Sequence, residues 1–243
     1  MGLTIHYQLK SDARTAKQAR KLVEQLRQRA LDLPFAEVGK VVELKGEACD
    51  FQTYDGNDPL RWLAIQAGQY VEHEGSHYRV KTKHVIAFST YPGEGCEAAN
   101  FGLAVYPAAL CVQDTSTRRN RKLRTELAGW CWGSFCKTEY ASRHGIDHFV
   151  RCHLSVVRML DYAKELGILA SVSDEGDYWD KRDVKALAQN VGEWNESMAG
   201  LVGQMKDLFG GEFDAPITQY PDFEHLEAKR REKRSQSSNK QEG

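Results

Sequence analysis

The chain opens on strict alternation. Leu3, Ile5, Tyr7 and Leu9 face one way and Thr4, His6 and Gln8 the other, the period of a strand with one buried face. Ser11 or Asp12 then starts a helix with an apolar stripe of Ala16, Ala19, Leu22, Val23, Leu26, Ala30 and Leu33, and Pro34 ends it. Residues 38–44 return to a strand pattern, so the opening is β-α-β. Residues 46–59 read as loop, with Asp55-Gly56-Asn57-Asp58-Pro59 as its turn. Strand patterns continue over 62–71, 77–80, 84–91, 101–106 and 109–112, with a polar loop over 114–120. Such a run of sequential strands favours an antiparallel or mixed sheet.

The sharpest alternation spans residues 130–140. Trp130, Trp132, Ser134, Cys136, Thr138 and Tyr140 share one face of a strand; Cys131, Gly133, Phe135, Lys137 and Glu139 share the other. An ordinary core face is Val, Ile and Leu. Rings mixed with hydroxyls and a thiol suit the floor of a pocket.

After Gly145 the period becomes helical. Asp147 is placed to cap a helix running to Leu166, with Phe149, His153, Val156, Leu160 and Ala163 inward and Gly167 as the stop. A loop is expected over 171–180. Val184, Leu187, Val191, Trp194, Met198, Leu201, Met205 and Leu208 then recur at spacings of three and four, a heptad-like seam that Gly210-Gly211 closes. The seam suits packing on the preceding helix, or pairing with a second copy; Ala199, Gly200 and Gly203 allow close helix approach. The expected fold class is α+β. A β-α-β opening and an antiparallel-rich mixed sheet fill residues 1–144, a C-terminal helical hairpin packs on that sheet over 145–211, and a basic tail, extended or disordered, occupies 212–243.

Composition narrows the function only by exclusion. A chain of 243 residues with 41% hydrophobic content can bury a core without metals or disulfides. A formal net charge of −1 argues against a surface built wholly for nucleic acid or acidic lipid. No segment approaches the roughly 20 consecutive apolar residues that cross a bilayer, so no membrane partner is expected. The first residues lack a basic region followed by an apolar one, and Gly2 lacks the Ser or Thr at position 6 that a myristoylation signal needs. These features point to the cytoplasm. Six irregularly spaced cysteines read as reduced thiols.

Candidate chemistry gathers at two segments. The loop Tyr91-Pro92-Gly93-Glu94-Gly95-Cys96-Glu97 leaves a strand end with two glycines around Glu94, which presents Cys96 as a nucleophile and Glu97 as an acid or base, or simply makes a tight turn. On the 130–140 strand, Cys136 is a second candidate thiol, Lys137 and Tyr140 candidate proton-transfer groups, and Trp130, Trp132, Ser134 and Thr138 candidate ligand contacts. Cys131 and Cys136 face opposite ways and do not chelate one metal, so no metal site is assigned. The acidic stretch 173–183 lacks the spacing of a calcium loop and reads mainly as helix capping. His153, on an apolar helix face, reads as a satisfied core histidine.

Three functions stay open on the sequence. The first is a small-ligand-binding or enzymatic domain with a pocket around residues 92–101 and 130–140. The second is a nucleic-acid-associated protein using Arg118, Arg119, Arg121, Lys122 and Arg124 with the basic tail. The third is a scaffold that dimerises through the 184–208 seam. The sequence names no cofactor.

Overall fold

The computed structural model describes residues 3–113, 120–209 and 215–230. In chain order the elements are β1 (Thr4–Ser11), α1 (Ala16–Leu31), β2 (Glu37–Val38), β3 (Val42–Lys45), α2 (Pro59–Gln66), β4 (Gln69–His73), β5 (Ser76–Val80), β6 (His84–Tyr91), β7 (Ala99–Val105), β8 (Ala109–Gln113), β9 (Asn120–Arg124), β10 (Trp130–Lys137), α3 (Ile146–Glu165), β11 (Leu169–Asp174), α4 (Tyr178–Lys181) and α5 (Val184–Phe209). A last helix, α6, covers residues 223–230. The fold is α+β.

The main sheet is antiparallel throughout, in the order β11-β1-β10-β7-β6, with β2 and β3 sharing the outer edge of β6. The expected strand over 38–44 is therefore two pieces, joined where Gly39 N donates to Ser89 O at 2.9 Å. Two separate hairpins, β4–β5 and β8–β9, stand beside the sheet.

Alternation on β1 sets the layers. Ile5, Tyr7 and Leu9 are buried and join a core with Ala19, Val23, Leu26 and Ala30 of α1 and Val156, Leu160 and Ala163 of α3. His6, Gln8 and Lys10 point to the opposite, exposed side. By register, that side also carries Gly133 and Phe135 of β10 and Ser171 and Ser173 of β11. The β6–β7 half is buried along nearly its whole length, while the β1–β10–β11 half keeps one face open.

Local signals explain most boundaries. Thr15, not Ser11 or Asp12, caps α1: its hydroxyl accepts from Gln18 N at 3.2 Å, and the Gln18 side chain accepts from Thr15 N at 3.1 Å, a reciprocal box. Residues 62–71, expected as a strand, are helix as far as Gln66 and strand only from Gln69. Asp58 accepts from Leu60 N at 2.8 Å and Pro59 takes the first helical position, so the supposed turn is an N-cap. β10 ends at Lys137, and Thr138 turns the chain into a 3-10 segment, Glu139–His144, which removes Tyr140 from the strand.

The C-terminal part departs further from the expected hairpin. Residues 169–174, expected partly as loop, form the edge strand β11 between the two helices. α5 does pack on α3, through Leu187 and Val191, which cluster with Phe149 and Cys152, and its buried stripe then runs on through Asn195, Ala199 and Val202. The stripe is turned from the expected seam, leaving Val184, Leu201 and Met205 exposed. Its second half is covered by residues 215–230, expected as tail. Ile217, Tyr220, Phe223 and Leu226 cluster with Ala199 and Val202, and Arg230 and Glu227 lie over Gly200 and Gly203. Residues 210–214 and 231–243 lie outside the described residues.

Candidate functional site

The face expected to floor a pocket is core. Trp130, Trp132, Cys136 and Thr138 are buried and Ser134 nearly so. Four polar groups on that face have partners inside the protein. Trp132 Nε1 donates to Asn100 O at 2.9 Å, Cys136 Sγ to Glu97 O at 3.2 Å, Ser134 Oγ to Gln66 Oε1 at 3.0 Å, and Thr138 Oγ1 lies 2.9 Å from His153 Nδ1. These groups are spent on holding the sheet. The ladder between β10 and β7 covers Trp130↔Val105 and Cys131↔Ala104. Beyond it side chains bridge the strands: Tyr7 Oη also donates to Asn100 O, at 2.7 Å, and Asn100 Nδ2 meets Ser134 Oγ at Gln66 Oε1.

The cleft lies on the other face of the same strand. It has a volume of about 520 Å³, a size common for small-molecule sites. His6, Gln8, Gly133, Phe135, Ser171 and Ser173 form its floor; Trp62, Ile65 and Gln66 of α2 and Gln69 and Tyr70 of β4 form its wall. A Cβ at Gly133 would sit 2.6 Å from Gln69 Nε2, so any larger residue there would displace the Gln69 amide. Gln69 Nε2 donates to Gly133 O at 3.3 Å and ties wall to floor. Three large rings stand in solvent at this site: Trp62 is 64% exposed, Tyr70 66% and Phe135 39%. Among the described residues, no Asp, Glu, Lys or Arg lines the cleft.

The second expected segment does come to the 130–140 region. Glu97 N donates to Lys137 O at 2.9 Å, and a Cβ on Gly95 (φ +81°) would fall 2.5 Å from Tyr140 O. Cys96 and Cys136 are thus neighbours, away from the cleft. Cys96 is half-buried and Glu97 exposed. Burial pushes the Cys136 thiol well above its ordinary value. Lys137 Nζ donates to Tyr140 Oη at 3.1 Å and lies 3.8 Å from Glu139 Oε2. Burial pulls its ammonium down, but Tyr140, Glu139 and Glu97 outweigh that and hold it above the usual lysine value. Lys137 therefore stays a cation, the reverse of what a base or nucleophile needs.

The partner of Cys96 is Cys152 on α3, which sequence reasoning passed over as the neighbour of His153. Cys96 packs against the cluster that holds Cys152. Cys152 Sγ is 3.4 Å from Pro92 O and 3.6 Å from His148 Nε2. His148 Nδ1 lies 2.8 Å from Arg151, which can only donate, so Nε2 carries the ring hydrogen and directs it at Glu94 O, 2.9 Å away, and at Cys152. The neighbouring Cys96, aided by His148 and Arg151 against burial, holds the Cys152 thiol down at about 7. Its nearness to Cys152, with burial, pushes Cys96 up.

Other candidates serve the frame. His153 is buried between Thr138 and Asp174 Oδ2, which is 3.2 Å from His153 Nε2. Asp183 accepts from Lys185 N and Ala186 N at the start of α5. Among the described residues, no three His, Cys, Asp or Glu side chains come together to hold a metal. In the basic loop, Arg118 and Arg119 lie outside the described residues; Arg121 pairs with Glu74 at 3.1 Å, and Lys122 and Arg124 are exposed on β9. No helix among the described residues is long and apolar enough to cross a membrane. Compared with known proteins, the chain matches no family model, no curated protein and no solved structure.

Proposed function

We propose that this protein binds an uncharged small molecule in the cleft over β1, β10 and β11. One observation carries the reading: three large rings are held in solvent around a floor and wall of neutral amides, hydroxyls and an imidazole. Exposing such rings forgoes burial free energy, which a ligand recovers by covering them. Gln and Ser groups both donate and accept, so they suit a ligand rich in hydroxyl, amide or ring-nitrogen groups. With no fixed charge opposite it, an anionic or cationic ligand would lose hydration without gaining a partner.

The test is a binding screen of neutral saccharides and nucleosides against the full chain, read by thermal shift and tryptophan fluorescence. A neutral compound raises Tm, and its affinity is insensitive to salt. Trp62→Ala, at an exposed position, leaves the fold intact and weakens binding about tenfold, the loss of roughly 1.4 kcal/mol of ring contact. Binding by charged compounds alone, or affinity unchanged by both Trp62→Ala and Phe135→Ala, would overturn the proposal. Binding to nucleic acid that weakens steeply with salt would favour the basic surface instead.

A further inference from the structure

A second site, independent of the cleft, is built where the 92–97 turn meets α3. We propose that Cys96 and Cys152 are a peroxide-responsive dithiol that closes reversibly to a disulfide. Cys96 packs against the small cluster that buries Cys152, which brings the turn thiol and the helix thiol together. The turn is fixed by Cys96 N donating to Gly93 O at 3.0 Å, and Gly93 leaves the space that Cys152 Sγ fills, 2.8 Å from where a Cβ would stand. His148 sends an N–H toward Cys152, backed by Arg151. The remaining charged groups around the site are Glu94, Glu97, Arg143 and His144; Glu94 is engaged by Arg143 at 3.8 Å and His144 at 3.6 Å. Cys152 is wholly buried and Cys96 half-buried, so the oxidant has to be as small as hydrogen peroxide.

The chemistry balances in two steps. The Cys152 thiolate takes one oxygen of hydrogen peroxide with its hydrogen, the O–O bond breaks and hydroxide leaves, giving a sulfenic acid at Cys152; the hydroxide takes up a proton and becomes water. Cys96 then attacks that sulfur. An S–S bond forms, the S–O bond breaks, and the Cys96 proton leaves with the hydroxyl as water. An external dithiol returns both thiols. Cys136 is a bystander, its hydrogen committed to Glu97 O.

Cys111, which is exposed, is an internal reference. The reduced full chain is treated with stepped hydrogen peroxide at pH 7 and mapped by peptide mass spectrometry. A Cys96–Cys152 cross-linked peptide forms about tenfold faster than Cys111 oxidises, as expected where one thiol of the pair is ionised near neutrality and its partner stands beside it. Dithiothreitol reverses it. Cys96→Ser leaves the sulfenic acid unresolved, so after a denaturing quench with dimedone the label is found on Cys152. Oxidation of Cys111 first, a reduced Cys152 at full conversion, or a disulfide to Cys136 would each overturn the proposal. The wild-type measurement decides even if the variant does not fold.

Discussion

Thr138, His153 and Asp174 stand in the order of a nucleophile, a base and an orienting carboxylate, yet burial decides against that role. Thr138 and His153 are wholly buried, and the Asp174 side chain is 1% exposed. The trio is a strut joining the end of β10, α3 and β11. Burial raises the Asp174 carboxyl, but the His153 ring and the amides of Trp179 and Gly176, at 2.9 and 2.8 Å, outweigh it and leave its pKa below the ordinary value. Asp174→Asn should cost about 3 kcal/mol in denaturant unfolding, because it breaks a buried pair and strands its partners; a change within experimental error would show the strut to be idle. His153 was legible as a satisfied core residue from its place on an apolar stripe. Cys152 was not legible as a functional thiol. Its neighbours come from a turn about sixty residues away, and nothing local announces them.

At the scale of elements, α2 matters most for the cleft, and it is held by an eight-residue stretch. Its N-cap is correspondingly important. Asp58→Ala should lower stability by about 1 kcal/mol, a shift of roughly 2–4 °C in Tm, while Asp58→Asn should restore most of it. Calorimetry on the three proteins checks this, and equal melting would mean that tertiary packing alone sets the helix. The same residues were legible as a turn because Asp-Pro opens turns and helices alike. The choice falls to the residues after the proline, and Leu60, Trp62, Leu63, Ala64 and Ile65 fit either a strand or a short buried helix. β11 was hidden for a related reason. Its Ser171, Ser173 and Asp174 are loop residues by composition, and they become strand through an edge pairing with β1 that local propensity cannot express. On α5 the period was right and the phase was displaced. Asn195 and Glu196 are buried and face inward where the apolar reading chose Trp194 and Met198. Asn195 Nδ2 donates to Ser142 Oγ at 3.1 Å, while Trp194 Nε1 donates to Glu139.

For the molecule as a whole, strand alternation carried the α+β class and the antiparallel sheet, while strand order and the open face depended on long-range pairing. Acid stability is a whole-molecule property with a local anchor at Glu43 on β3. It accepts from Lys45 at 2.8 Å, from Arg20 of α1 and from His84 of β6 at 2.7 Å, which joins sheet edge and helix. Lys45, then Arg20 and His84, hold its carboxyl at about 2, against an ordinary value of about 4.5. The folded value lies below the unfolded one, so the stabilisation is complete above about pH 4.5 and is lost as pH falls through about 2. Glu43→Gln should therefore melt lower than wild type at pH 6, with the gap closing toward pH 2. A gap independent of pH would exclude this linkage.

Gln66 belongs to both halves of the molecule. Its Oε1 closes the gap between β7 and β10, and the same residue lines the cleft. On the binding role proposed for the cleft, any substitution there is tried twice, once for folding and once for binding, and has to pass both. Trp62 and Tyr70 carry no such double duty. Selection acting on this chain would thus find a rim free to drift toward new ligands over a floor that cannot follow, so that specificity would diversify from the edge inward.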